Sequence, residues 1–170
     1  MKKLREYLTV NESELSSIKP ANKEELIDII NQRIEEYGPK CDLNDIDVSR
    51  VKDMSNLFEN SEFDGDISNW NVSKVKNMSS MFEDSKFNGD ISQWDTSKAE
   101  NMSFMFANSK FKGDISKWDV TNVENMYCMF RDSRFKGDIS KWDVSKVKDM
   151  EDMFKESPLE GNEPSWYKEK

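Results

Sequence analysis

The stretch GDISKWDV at residues 113–120 returns unchanged at residues 137–144. An octapeptide repeated at that interval raises the question of whether the whole chain is periodic. Aligned at a period of 24, Met54, Met78, Met102, Met126 and Met150 coincide, and so do Phe58, Phe82, Phe106, Phe130 and Phe154. Gly65, Gly89, Gly113, Gly137 and Gly161 form a third column, and Trp70, Trp94, Trp118, Trp142 and Trp166 a fourth. No insertion or deletion breaks this register from residue 41 to residue 166.

The places of the apolar residues suggest what one unit looks like. Ile67, Trp70, Val72 and Val75 fall where a leucine-rich repeat places its leucines. The W-x-V step alternates as a short strand should. In KNMSSMFEDSKF, Met78, Met81 and Phe82 recur at i, i+3 and i+4, which predicts a short helix. Asn88-Gly89-Asp90 then supplies turn chemistry. Each unit is therefore expected to be strand, short helix and turn. The chain is expected to be an α/β repeat, a leucine-rich-repeat-like solenoid of about five 24-residue strand–helix units whose Trp, Met and Phe columns stack into one core.

Composition agrees with a folded repeat. Apolar and charged residues each make up 35% of the 170 residues, yet 10 Phe, 10 Met and 5 Trp are too many anchors for a disordered chain. A net charge of −9 argues against a nucleic-acid or anionic-membrane binder. Cys41 and Cys128 stand far apart, outside any CxxC pattern, and read as free thiols. No apolar run is long enough to span a bilayer, and MKKLREYLTVNES has a basic start with no apolar stretch behind it. A cytoplasmic or virion-associated location is the expectation.

Both ends look like caps. Residues 1–40 form the N-terminal helical cap region, and residues 41–170 the repeats with a degenerate C-terminal cap. In NKEELIDIINQRIEEY (22–37), Asn22 is placed to cap a helix, Glu25 to complete a capping box, and Gly38-Pro39 to stop it. Leu26, Ile30 and Ile34 give that helix an apolar stripe for the open end of the first coil, where Leu43, Ile46, Val48 and Val51 take the later Ile, Trp, Val and Val places. At the far end Leu159, Gly161 and Trp166 persist while Glu163 replaces the Ile.

The unit F-x-G-D-I-S-x-W-D-V-S-x-V-x-N-M-x-x-M-F-x-x-S closely resembles the BspA-like bacterial surface-protein repeat, a family found also in mycoplasma lipoproteins and phage proteins. The resemblance covers residues 41–166, and the lead-in KEELIDIINQRIEEYGPKCDLNDIDVS is similar to the helix and first unit that precede such repeats. It implies a right-handed solenoid, a role in adhesion or protein binding, possible surface display, and no catalytic residues. Separately, MKKLREYLTVNE is similar to capsid-targeting peptides that a phage protease removes after a glutamate, here Glu12. An amphipathic helix start, with Leu4, Tyr7 and Leu8 packing on the body, is the other reading of those residues.

Chemistry has few places to reside. The chain contains no histidine, so the commonest general base and metal ligand are missing, and neither cysteine can form a Cys–His pair. No phosphate-binding glycine loop or zinc pattern occurs. Asp42, Asn44 and Asp47 resemble a calcium loop, but Ile46 stands where a ligand is required, so the segment reads as structural. No cofactor or metal is expected, and the chain does not read as an enzyme.

Carboxylates remain, in columns. Asp66, Asp90, Asp114 and Asp138 read as caps of their own turns. Asp95, Asp119 and Asp143 follow the tryptophans and are expected on a concave strand face, together with Asn69, Asn71, Gln93, Lys117 and Lys141. That face is a binding surface for a protein partner, a solvated face with no partner, or a ladder in which Asp bonds along the column to Ser hydroxyls. The leading expectation is a non-enzymatic protein-binding repeat module of unknown oligomeric state, with neither nucleic acid nor membrane insertion. The alternatives are a structural, virion-internal or surface-displayed protein, and an acidic nucleic-acid mimic.

The tryptophan column reads as a core ladder rather than a ligand platform. Trp118→Ala should therefore destabilise the fold by about 3–5 kcal/mol in denaturant titrations. An unchanged midpoint would place the indole outside the core.

Overall fold

The computed structural model describes residues 18–168. The first twelve residues, with their two readings, lie outside that range. The described chain contains one α-helix, α1 (Lys23–Tyr37), and six isolated parallel β-bridges in place of strands. The expected α/β solenoid of strand–helix units, leucine-rich-repeat-like and right-handed, is therefore corrected. The 24-residue register holds, with bridges joining Asp53, Asn77, Asn101, Asn125 and Asp149 in sequence, but the units carry neither the strand nor the helix.

Helix α1 forms as its sequence predicts. The Asn22 side chain accepts from the Glu25 N–H (2.9 Å), and the Glu25 carboxylate reaches back to the Ala21 N–H (2.8 Å). Gly38, at φ 85°, ends it by donating to the Ile34 carbonyl. Leu26 and Ile30 are buried in the common core. Lys23 donates to Ser55 and Arg33 to Asp45, which ties the helix to the first coil.

The expected short helix is instead a run of alternating bonds. The N–H groups of Met78, Ser80, Phe82 and Asp84 donate to the carbonyls of Asn101, Ser103, Met105 and Ala107 on the next coil, at 2.9–3.0 Å. Those of Met81, Glu83 and Ser85 donate three residues back along their own coil. An α-helix needs every N–H for a carbonyl four residues back, and here half are committed to a neighbour. Its width forbids it too: helices pack 8–10 Å apart, whereas bridged chains lie about 4.8 Å apart. The path turns through left-handed residues, Ser80 (φ 53°) and Asp84 (φ 54°), and the same two columns are left-handed in every coil. Met78, Met81 and Phe82 are nevertheless fully buried. The spacing marked the buried face and misidentified the backbone.

The W-x-V strand is absent as well. Trp70, Trp94, Trp118 and Trp142 are 4–5% exposed. Each indole N–H, with that of Trp166, donates to a carbonyl of the preceding coil: Leu43, Ile67, Ile91, Ile115 and Ile139, at 2.9–3.3 Å. The indole thus does the cross-coil bonding that a strand backbone would have done.

Phenylalanines fill the rest of the core. Rings of the Phe58–Phe154 column stack at 5.6–5.9 Å, and those of Phe63, Phe87, Phe111 and Phe135 at 6.0–6.3 Å. These rings explain Gly65, Gly89, Gly113 and Gly137. The turn lies beyond Asn88-Gly89-Asp90 and is closed by the Trp94 N–H on the Ile91 carbonyl. What Gly113 provides is room, since a Cβ there would stand 2.7 Å from the Phe111 ring. That ring is held between Phe87 and Phe135 and cannot yield. Gly113→Ala should cost about 1–3 kcal/mol of overpacking, measured by urea unfolding. A wild-type midpoint would show that the ring stack can shift.

Candidate functional site

With so little regular structure, the coil satisfies its backbone through side chains. Four corners per coil use one device, in which a side-chain oxygen accepts from the N–H two residues on. In the coil of Trp118 these are Asp114 with Ser116 (2.9 Å), Asp119 with Thr121 (3.0 Å), Asn125 with Tyr127 (2.8 Å) and Ser133 with Phe135 (3.3 Å). The turn-capping role expected for Asp66, Asp90, Asp114 and Asp138 is thus observed. Asp42 and Asp47 of the first coil do the same for Asn44 and Ser49. No described cluster of acids and thiols could hold a metal ion. Cys41 and Cys128 are free thiols.

The eight residues singled out from the sequence are all exposed. The expected concave strand face is corrected, because no strand passes through them. They form two columns flanking the buried tryptophans: Asn69, Gln93, Lys117 and Lys141 before them, and Asn71, Asp95, Asp119 and Asp143 after them. Asn69 is anchored by its N–H on the Asn44 side chain, and Gln93 donates to Ser92. Lys117 and Lys141 make no ion pair among the described residues.

In the second column every side chain is fixed. Oδ1 of Asp95, Asp119 and Asp143 accepts from the N–H of Ser97, Thr121 and Ser145, at 3.0–3.1 Å. Asn71 does the same for Ser73. The carboxylates bond within their own coil rather than along the ladder, and Oδ2 of each makes no hydrogen bond within the described chain. Spacing of Asp or Asn two places before Ser or Thr was the visible signal for this. Two corner columns went unread in the sequence: Asp53, Asn77, Asn101, Asn125 and Asp149, and the serines at 61, 85, 109, 133 and 157.

Charges pair between coils on the outer surface, Lys76 with Glu100 (2.6 Å), Lys148 with Glu124 (2.7 Å) and Lys86 with Glu62. Such exposed pairs contribute little each. They show which cations are neutralised, which bears on the rest of the surface.

One known family matches the chain, described as "Mycoplasma protein of unknown function, DUF285", over residues 30–133 and again over 107–168. The chain belongs to this family. The two matches overlap within the repeats, as a periodic sequence allows. No curated protein and no solved structure matches. No described helix is long and apolar enough to cross a membrane.

The corner bonds give the carboxylates a pH signature. The Ser116 N–H and hydroxyl hold Asp114 below its ordinary value of 3.8, and Ser140 acts likewise on Asp138. Thr121 lowers Asp119, Ser145 lowers Asp143, and Ser49 with Lys19 brings Asp47 to about 2. A carboxylate lowered by folding stabilises the fold above its unfolded value and loses that contribution as pH falls through its folded value. The melting temperature should therefore hold down to about pH 5 and fall from about pH 4 towards pH 2. Asp114→Asn with Asp138→Asn should flatten that fall. An acid limb equally steep in the double variant would place its origin elsewhere.

Proposed function

We propose that this chain is a non-enzymatic, protein-binding repeat module whose interaction surface is the pair of columns Asn69/Gln93/Lys117/Lys141 and Asn71/Asp95/Asp119/Asp143. The observation that carries the proposal is the state of the three aspartates: one oxygen of each is fixed to its own turn and the other is uncommitted. Side chains already ordered lose little entropy when a partner arrives. Lys117 and Lys141 beside the carboxylates set a charge pattern that selects a partner by complementarity. The partner side that fits best is a basic or amide-rich segment offering one donor per coil.

The same aspartates argue for recognition over turnover. Near-identical carboxylates in near-identical turns lack the contrast of environments that acid–base pairs use. Membership of a mycoplasma repeat family supports a bacterial surface-repeat type of protein. The BspA-like character of the unit extends this towards adhesion and display.

Asn71 supplies a clean test, since it closes the same turn as its neighbours without a charge. Replacing Asp95, Asp119 and Asp143 together by Asn should keep the fold and remove three negative charges from the column. A partner recovered from source-cell lysate by wild type should bind the variant at least tenfold more weakly, about 1.4 kcal/mol. Equal capture by both proteins would leave the column a purely structural ladder.

A further inference from the structure

The chain is acidic overall, yet one part of its surface is basic. Lys110 and Lys112 flank the buried Phe111 on one coil, and Arg134 and Lys136 flank Phe135 on the next. All four are exposed, and none makes an ion pair among the described residues. Lys86, which precedes Lys110 in its column, is neutralised by Glu62. Within the four-residue cluster the cations stand side by side with no intervening acid, an arrangement folding does not require, since Glu62 and Asp64 hold the same two places two coils earlier.

The backbone beneath is fixed. Lys110 and Arg134 donate their N–H groups to the Ser85 and Ser109 carbonyls of the preceding coil, and Lys112 to the Asn88 side chain. The stacked Phe111 and Phe135 rings, 6.3 Å apart and 8° from parallel, set the step between the two rows. From Phe111 to Val120 and from Phe135 to Val144 the sequence is identical. Two like patches one coil apart fit a partner that itself repeats, one anionic group per step.

We infer that Lys110, Lys112, Arg134 and Lys136 form a binding surface for a linear acidic polysaccharide, distinct from the aspartate column. A nucleic acid fits less well, because the tryptophans that could stack on bases are buried and the chain carries a net charge of −9. Spaced single charges on a flexible glycan place fewer anions against the acidic remainder of the surface.

The probes are oligogalacturonate and a hyaluronan oligosaccharide, with an oligo-dT strand for comparison, titrated by calorimetry against the full chain. The intact protein should bind an acidic glycan more tightly than oligo-dT, with affinity falling as salt rises. Changing all four cations to Gln should weaken glycan binding at least tenfold and lower the salt slope, with the melting temperature unchanged. Arg50, Lys52, Lys74 and Lys98 changed to Gln remove the same charge from other exposed positions and should weaken it less than threefold. If the fourfold variant does not fold, Lys112→Gln with Lys136→Gln serves in its place. No glycan binding by the intact chain, equal losses in both variants, or tighter binding of oligo-dT would each overturn the inference.

Discussion

Everything in this fold depends on the backbone bond from one coil to the carbonyl 23 residues ahead. It commits every second N–H of the M-x-x-M-F segment to the neighbour and holds the coils at a strand-like step. Once that step is set, no helix fits on the coil, phenylalanine rings fall within stacking distance, and a glycine is needed wherever a ring crosses the chain. The indole bond runs the other way, from each Trp to the preceding coil. Each junction is therefore bonded in both directions, forward by the backbone of the M-x-x-M-F segment and backward by the indole together with backbone N–H groups such as those of Lys110 and Arg134.

Burial was legible in the sequence and backbone conformation was not. The columns of Met, Phe, Trp and Ile lie in the core as their period required. Helical spacing at Met78, Met81 and Phe82 failed as a guide because a left-handed residue placed between two right-handed turns brings the same three side chains to one face. A trace of this was present: Asn60, Asp84, Asn108 and Asp132 recur every 24 residues in a left-handed place, and Asn and Asp tolerate it best. Phe104 and Cys128 in the companion column give no such signal. The strand at W-x-V failed for another reason, since alternation fixes which side chains are buried and says nothing about the partner of the backbone.

Exposure of the candidate surface could be read from its place beside the tryptophans, and its rigidity could not. Asp119 next to Trp118 reads as a surface charge, whereas its bond to Thr121 is visible only once the corner is built. Ser or Thr two residues after each acid was the available clue, and it serves a structural and a recognitional purpose at once. The basic cluster escaped notice because Lys110 and Lys136 are far apart along the chain and become neighbours only through the coil step.

The rule that every cross-coil bond spans 23 to 27 residues also bears on how such a gene can change. Loss or gain of one whole coil leaves each donor facing an acceptor of the same kind, so arrays of different lengths are equally well bonded. A single inserted residue shifts the indole, the backbone donors and the corner side chains out of register together. Duplication and deletion by whole units are thus the tolerated changes in length, and the near-identical coils around Trp118 and Trp142 are what a recent duplication would leave.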